Sequence, residues 1–346
     1  MSINDSLCEW LTAAGGHSSL AIAEGPDGDR YAVATEWIGP RDCILHVPPS
    51  CLLTAPAIME STVARALARC RHDIALDSQA YLAAYILVAR HEEGSWRPYL
   101  DTLPAVAPHT VLFFSDDELR ELSGSWLLPK ALAHRAALRE EWRRLQERVE
   151  CLSSFTERAW LGARATVTSR VFGLSCGNEC IDSLVPMADI PNHRRPAEAA
   201  WSYDPGPGTF ELTACRAFAP GETVHISYGA KGNSRLLLHY GFCLEDNDCD
   251  EAVLNVSDLQ FTLSARVGDS ERAMLDTVSA STVANACELA LEAFPTSIAE
   301  DERLLAHRAL SVNHRNCVLA RLGEKRVLLA VLRRHSGGVY SSYPVS

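Results

Sequence analysis

The chain has 346 residues, 47% of them hydrophobic, which is enough for one large globular domain or two unequal ones. Its formal net charge of −12 argues against nucleic acid or an anionic membrane surface as the main partner. No uninterrupted apolar run approaches the ~20 residues that a membrane span needs, and the first ten residues carry no basic or apolar leader. The 12 cysteines are dispersed, which is typical of reduced thiols. We therefore expect a protein of the cytoplasm, the nucleus or both.

The N-terminal region predicts one short helix and a small β-layer. A helix is expected over residues 5–14, where apolar residues share one face and two glycines follow. Segments rich in β-formers then occur at 20–24, 31–35 and 43–47, separated by turn residues.

From residue 56 to about 170 the pattern is helical. Apolar residues recur at helical spacing from Tyr81 to Ala89, and again beside a charged face from Leu138 to Leu152. Residues 96–104, Trp-Arg-Pro-Tyr-Leu-Asp-Thr-Leu-Pro, predict a rigid connector held by its prolines.

A β pattern returns in the centre of the chain. Strands are predicted around 201–203, 210–214 and 223–228, with turn residues between them. Beyond about residue 255 the pattern is helical to the end, and 300–335 is locally basic. A solvated helix face is the favoured explanation, with a docking face for an acidic target as the alternative. The fold class is therefore α+β.

Two short motifs suggest other chemistries. Gly173-Leu-Ser-Cys-Gly177 has the spacing of a nucleophile elbow, which needs a strand before it and a helix after it. Because the following residues do not begin a helix, a chance match is favoured, and a serine hydrolase with Ser175 as nucleophile stays an alternative. Cys176 and Cys180 have a spacing that structural zinc sometimes uses, but no second pair is nearby. We predict no metal and regard these cysteines as ordinary loop residues.

The stretch from Asp182 to Phe242 is the densest in site-type residues. It contains Val185-Pro-Met-Ala-Asp-Ile-Pro-Asn-His193, Gly221-Glu-Thr-Val-His-Ile-Ser-Tyr-Gly229, Asn233-Ser-Arg-Leu-Leu-Leu and Tyr240-Gly-Phe242. In order and spacing these motifs resemble the SET domain of protein methyltransferases. The resemblance is to the subgroup typified by the Rubisco large-subunit lysine methyltransferase and the actin histidine methyltransferase, and it covers essentially the whole chain.

The resemblance implies an S-adenosylmethionine-dependent protein methyltransferase with an α+β fold. It implies a SET-domain β-fold with a pseudoknot at 1–245, a helical insert at about 56–170, and an all-helical substrate-binding domain at 250–346. The substrate would be a lysine side chain of a non-histone protein, with histidine as the second candidate, and the chain would be a monomer. The alternative is a catalytically impaired SET-like module that binds a peptide without modifying it.

The resemblance also implies residue roles. Tyr228 would be the catalytic tyrosine, and Arg170 and Asp189 would contact the substrate. The cofactor would be bound by Arg30, Tyr31, Ala32, Arg170, Asn192, His193, Tyr240 and Phe242. Three positions depart from the family pattern: Tyr31 stands where a glycine normally permits close backbone approach, Gly232 replaces a common serine, and Pro191 stiffens the approach to Asn192. Tyr31 keeps the peptide-binding alternative open.

A role for Tyr228 also follows from the chemistry. Methyl transfer from a sulfonium to a neutral amine is an in-line displacement, so positioning supplies most of the acceleration. A phenol oxygen, together with backbone carbonyls, can orient the amine and favour the partly positive methyl group. The structural alternative is a buried tyrosine whose hydroxyl is hydrogen-bonded in the core.

Overall fold

A computed structural model of the chain describes residues 3–26, 28–70, 72–104, 109–256, 258–266, 268–306 and 310–336. Its helices are α1 Ile3–Ala13, α2 Thr62–Cys70, α3 Ser78–Ala89, α4 Arg97–Leu100, α5 Asp116–Arg120, α6 Leu127–Arg148, α7 Glu157–Arg170, α8 Asn233–Tyr240, α9 Asp269–Leu275, α10 Ala280–Glu292, α11 Ile298–Ala306 and α12 Val312–His335. Its strands are β1 His17–Ser18, β2 Leu20–Glu24, β3 Arg30–Ala34, β4 Cys43–Val47, β5 Leu53–Thr54, β6 Val171–Cys176, β7 Glu179–Leu184, β8 Asn192–His193, β9 Ala199–Asp204, β10 Thr209–Ala214, β11 Thr223–Ile226, β12 Glu251–Val256 and β13 Leu259–Ser264.

The chain forms two compact units. The first comprises Met1–Val106 and Arg139–Gly229, and the second comprises Ala107–Leu138 and Ala230–Ser346. Within the described ranges, none of the helices is both long enough and apolar enough to cross a membrane. The boundaries at 245 and 250 of the predicted domains stay a prediction.

The first unit is built on an eight-stranded sheet. Seven strands lie in the order β1-β4-β10-β9-β11-β3-β2, and β8 pairs with β11 outside this path. Strand β10 shows why the sequence folds this way: Phe210, Leu212 and Ala214 are buried and alternate with half-buried polar residues. The strands predicted around 20–24, 31–35, 43–47 and 210–214 are confirmed.

Helices of the first unit are fixed by caps and aromatic packing. Asp77 caps α3 by accepting the Ala80 N–H at 2.7 Å, and the same carboxylate pairs with the buried Arg164 of α7 at 2.7 Å. The Trp142 and Trp160 rings stack with their centroids 5.9 Å apart.

A second sheet of the first unit has three strands in the order β5-β7-β6. The β6–β7 hairpin, in which Ser175 lies opposite Cys180, is not predicted by the sequence pattern. A strand therefore follows Gly177 where a nucleophile elbow needs a helix, so the serine hydrolase alternative is wrong. The prediction that Cys176 and Cys180 are loop residues is also wrong, because both belong to strands.

The second unit has two apolar clusters. One joins β12 and β13 to α10 and α12 and includes Leu254, Leu263, Cys287 and Val331. The other contains residues of α5, α6, α8 and α12 and the turn before α5.

The prediction of an all-helical C-terminal domain is wrong in one place, the β12–β13 hairpin. In β12, residues Ala252, Leu254 and Val256 are buried and alternate with more exposed neighbours, which is the period of a strand. The α+β class itself is confirmed.

The basic segment 300–335 is not simply a solvated helix face. Arg321 and Lys325 of α12 are each only 1% exposed. Both donate to Asp301, which is fully buried, and Arg321 also pairs with Glu121 at 2.6 Å. The physical reason is pairing: a buried cation is tolerated when a carboxylate and hydrogen bonds compensate its desolvation.

Candidate functional site

Tyr228 lies against the Asn-His motif of the first unit. Strand β11 pairs in parallel with β8, and Tyr228 follows β11 after one residue. Its main-chain N–H donates to Nδ1 of His193 at 3.0 Å, and its hydroxyl donates to the carbonyl oxygen of Pro191 at 3.0 Å. The two rings lie with their centroids 5.1 Å apart. Two polar contacts to one segment therefore set the position of the phenol.

The contact also specifies the state of His193. Because Nδ1 accepts the N–H of Tyr228, a neutral imidazole carries its proton on Nε2. Asn192 contributes through its amide, which donates to the carbonyl oxygen of Arg30 at 3.3 Å. Sequence motifs 35 residues apart thus meet at one place, as the parallel strand pairing requires.

Asp189 forms the charged centre of the site, and its side chain is fully buried. Its Oδ2 accepts the Tyr99 hydroxyl at 3.0 Å and lies 3.4 Å from Nη1 of Arg170, which also donates to the Asp189 carbonyl oxygen at 2.6 Å. Among the described residues, Asp189 Oδ1 and Arg170 Nε are buried without a hydrogen-bond partner. Burial raises the pKa of Asp189, although the charge of Arg170 and the hydroxyl of Tyr99 act in the opposite direction.

Arg30 adds a second guanidinium to this centre. It begins β3 and donates through Nη1 to the carbonyl oxygen of Thr102. Burial lowers the pKa of Arg30, and the positive charge of Arg170 lowers it further, while Asp189 raises it. Two guanidinium groups and one carboxylate therefore act on one another, and the charge of Glu24 also raises the pKa of Arg30.

Four other residues have predicted cofactor roles, two of them in β3 and two in the second unit. In β3, Ala32 is fully buried, and alternation along the strand places Tyr31 on the face opposite Arg30. Tyr240 and Phe242 belong to the second unit, where their rings meet edge to face at 6.3 Å and burial raises the pKa of Tyr240. Gly241 separates them with a φ of 81°, which ends α8. The roles of all these residues stay predictions.

The first-unit site suits a ligand with both an amine and a carboxylate. Among the residues that the structure describes, none donates to the buried Asp189 Oδ1, and the guanidinium groups of Arg30 and Arg170 are positively charged. The amino-acid moiety of S-adenosylmethionine has this combination of groups, so the residues present fit the expected cofactor. Sequence reasoning missed Tyr99 and Thr102, since nothing in a proline-flanked connector indicates that its hydroxyl or carbonyl reaches a charged side chain.

Comparison with known proteins supports the predicted resemblance. Residues 243–328 match the Rubisco LSMT substrate-binding family. The chain is 26% identical over 396 residues to the [fructose-bisphosphate aldolase]-lysine N-methyltransferase, chloroplastic, of Arabidopsis thaliana, covering 92% of this chain and 80% of that protein. It is 24% identical over 250 residues to the actin-histidine N-methyltransferase of Homo sapiens, covering 68% of this chain and 42% of that protein. The chain thus spans less than half the length of the human relative.

Solved structures show the same fold. The SET domain of LSMT bound to lysine and AdoHcy matches with a TM-score of 0.78 at 22% identity, covering 96% of this chain and 91% of that chain. Rubisco LSMT bound to AdoMet matches with a TM-score of 0.77 at 21% identity, covering 97% and 92%. The chain therefore has the SET-domain fold of Rubisco LSMT, and its residues 243–328 match the model of the Rubisco LSMT substrate-binding family.

Proposed function

We propose that the chain is an S-adenosylmethionine-dependent protein methyltransferase that methylates a lysine of a non-histone protein, with histidine as the second candidate residue. The observation that carries this proposal is the anchoring of Tyr228 on Pro191 and His193 within one unit. A lysine methyltransferase that matches 92% of the chain supports lysine, and the actin-histidine relative keeps histidine as an alternative.

The residues of the site have separable tasks. Asn192 and His193 would hold the cofactor mainly through main-chain groups, and Arg30 and Arg170 would bind its carboxylate. When bound, the cofactor supplies a methyl group on a sulfonium sulfur. The nucleophile must arrive unprotonated, because an ammonium has no lone pair, and its proton is lost to water.

Tyr228 would position the nucleophile. Its phenol oxygen lies 3.0 Å from the Pro191 carbonyl oxygen, so two electronegative atoms lie side by side. Such a pair can accept hydrogens from an amine and favour positive charge on the methyl group in flight. Tyr228 would thereby hold the nitrogen lone pair in line with the methyl group that the cofactor would supply.

Calorimetry with S-adenosylmethionine is the first test, and the absence of detectable binding would refute the enzyme proposal. Tyr228→Phe is expected to lower methyl transfer on the order of 10²-fold with little change in cofactor affinity. Tyr203→Phe of β9 makes the same chemical change elsewhere in the first unit and is expected to leave transfer unchanged. An unchanged rate for a folded Tyr228→Phe protein would remove this residue from its assigned role.

The substrate is best identified with labelled cofactor and a lysate of cells that lack this protein. Acid hydrolysis of the labelled product releases its amino acids, and chromatography then separates methyl-lysine from methyl-histidine. We expect methyl-lysine, and methyl-histidine alone would overturn the lysine assignment.

The second candidate function is a SET-like module that binds a peptide without modifying it. It rests on Tyr31, which stands where the family normally has glycine. Tyr31→Gly tests it: if the phenol blocks the cofactor, the variant gains affinity for S-adenosylmethionine that the wild type lacks.

We further propose that residues 1–245 carry the catalytic site, that 250–346 bind the protein substrate, and that the chain acts as a monomer in the cytoplasm or nucleus. Analytical ultracentrifugation tests the oligomeric state, and a stable dimer would contradict it.

A further inference from the structure

The helical turn Tyr99–Thr102, which begins in α4 and ends just after it, contacts both Asp189 and Arg30 of the first unit. At its start, the Tyr99 hydroxyl donates to Oδ2 of Asp189 at 3.0 Å. At its end, the Thr102 carbonyl oxygen accepts Nη1 of Arg30. The turn is itself closed, because the Thr102 hydroxyl donates to the Tyr99 carbonyl oxygen at 2.6 Å.

We propose that Tyr99 is a positioning residue for methyl transfer: its hydroxyl orients the carboxylate of Asp189, so that Oδ1 faces the ligand and Arg170 is held in register. This inference rests on the proposed function, and it names a residue for which the resemblance implies no role.

Burial determines which group donates in the hydrogen bond between Tyr99 and Asp189. Tyr99 is fully buried, as is the side chain of Asp189, so no water competes for either group. Burial raises the pKa of Tyr99 well above its usual value, and the neighbouring Asp189 raises it further. The phenol therefore stays protonated and acts as a donor to the carboxylate.

The two carboxylate oxygens of Asp189 differ in their hydrogen-bond partners, which supports a positioning role for Tyr99. Oδ2 receives both protein donors, the Tyr99 hydroxyl and the more distant Arg170 Nη1. Oδ1 has no partner among the described residues although it is buried. A carboxylate fixed only through one oxygen presents the other to a ligand, whereas a carboxylate serving packing alone would satisfy both.

Removing the hydroxyl has a predictable electrostatic effect. Among the described residues, the charges of Arg170 and Arg30 interact with Asp189, Tyr99 is its neutral donor, and the charge of Arg90 acts on Tyr99. Since the Tyr99 hydrogen bond favours the ionised carboxylate, its loss raises the pKa of Asp189 further. The ionised form then disappears at a higher pH than in the wild type.

The test compares Tyr99→Phe with Tyr203→Phe, which also loses one phenol hydroxyl in the first unit. For Tyr99→Phe we expect kcat/KM to fall about tenfold or more, as for the loss of a hydrogen bond to a charged group. The acidic limb of its pH profile should move to higher pH. Carbon-13 NMR of the aspartate carboxyl groups should show Asp189 titrating at higher pH, and this readout needs no activity.

A double-mutant cycle with Asp189→Asn decides how Tyr99 acts. If it acts through the carboxylate, Asp189→Asn lowers kcat/KM and Tyr99→Phe adds little in that background. Additive losses, or an unmoved Asp189 titration in folded Tyr99→Phe, would overturn the proposal. An unchanged kcat/KM for Asp189→Asn would also overturn the proposal, and this result does not depend on whether Tyr99→Phe folds. If the wild type neither binds S-adenosylmethionine nor transfers methyl groups, the proposed function fails, while the titration still decides whether Tyr99 controls Asp189.

Discussion

Replacing Asp301 by asparagine is expected to destabilise the second unit strongly. Oδ1 of Asp301 accepts Nε and Nη2 of Arg321 at 3.0 and 2.8 Å, and Oδ2 accepts Nζ of Lys325 at 2.7 Å. An asparagine can keep the first contact through its oxygen, but its NH₂ group then faces the Lys325 ammonium as a second donor. Two buried cations also lose their shared carboxylate.

The magnitude follows from these losses. A hydrogen bond to a charged group is worth about 1.5–3 kcal/mol, and removing one partner of a buried ion pair costs about 3–5 kcal/mol. Lys325 retains Thr296 and Arg321 retains Glu121, so part of the compensation survives. We therefore expect a loss of about 3 kcal/mol in the free energy of unfolding.

The assay is urea unfolding, analysed with the same dependence of the free energy of unfolding on urea concentration for each variant. Glu302→Gln is the control. Glu302 lies on α11, as Asp301 does, and pairs with Arg326 of α12 at 2.9 Å, but its side chain is 36% exposed. An exposed pair contributes about 0–1 kcal/mol, so the control should unfold almost as the wild type does. If Asp301→Asn costs no more than Glu302→Gln, the argument from burial is refuted.

Two further predictions concern the second unit. Burial raises the pKa of Glu324 to about 7, so its contribution to stability is present below about pH 4.5 and is lost as pH rises through 7. The free energy of unfolding of Glu324→Gln should therefore exceed that of the wild type by on the order of 3 kcal/mol at pH 8 and by little at pH 4. Equal gains at both pH values in urea unfolding would contradict this. Gly232→Ala should cost about 1–3 kcal/mol, because a Cβ there would lie 2.8 Å from the Cys249 carbonyl oxygen. Gly268 is another N-cap glycine, and no atom of the described residues lies within 4 Å of such a Cβ there, so Gly268→Ala is the control. Equal thermal unfolding shifts for the two variants would contradict the steric explanation.

The parts of the site that could be predicted lie in local motifs. Asn192, His193 and Tyr228 stand in segments whose order and spacing resemble a known family, and the strand pairing brings them together. Tyr99 could not be predicted, because its contact with Asp189 joins residues 90 positions apart and leaves no pattern in the connector.

The same limit explains the errors in the C-terminal region. Basic residues at helical spacing look like a solvated face unless the acidic partner is known, and Asp301 lies 20 residues before Arg321. The β12–β13 hairpin was missed because short apolar runs do not separate strands from buried helices. Gly232 is the opposite case: the sequence marked it as unusual, and its close approach to Cys249 supplies the reason.

The burial of Lys325 has a practical consequence for experiments. The lysines of the chain are Lys130, Lys231 and Lys325. Lys325 is enclosed in its ion-pair network, Lys231 is half-buried, and Lys130 is exposed with its ammonium 4.5 Å from the centre of the Trp126 ring. Among the lysines of the folded chain, amine-reactive dyes should therefore label chiefly Lys130, which yields a fluorescent reporter next to a tryptophan quencher without engineering a cysteine. For the same reason, labelled methyl groups found on the chain itself would map to Lys130 before any other lysine.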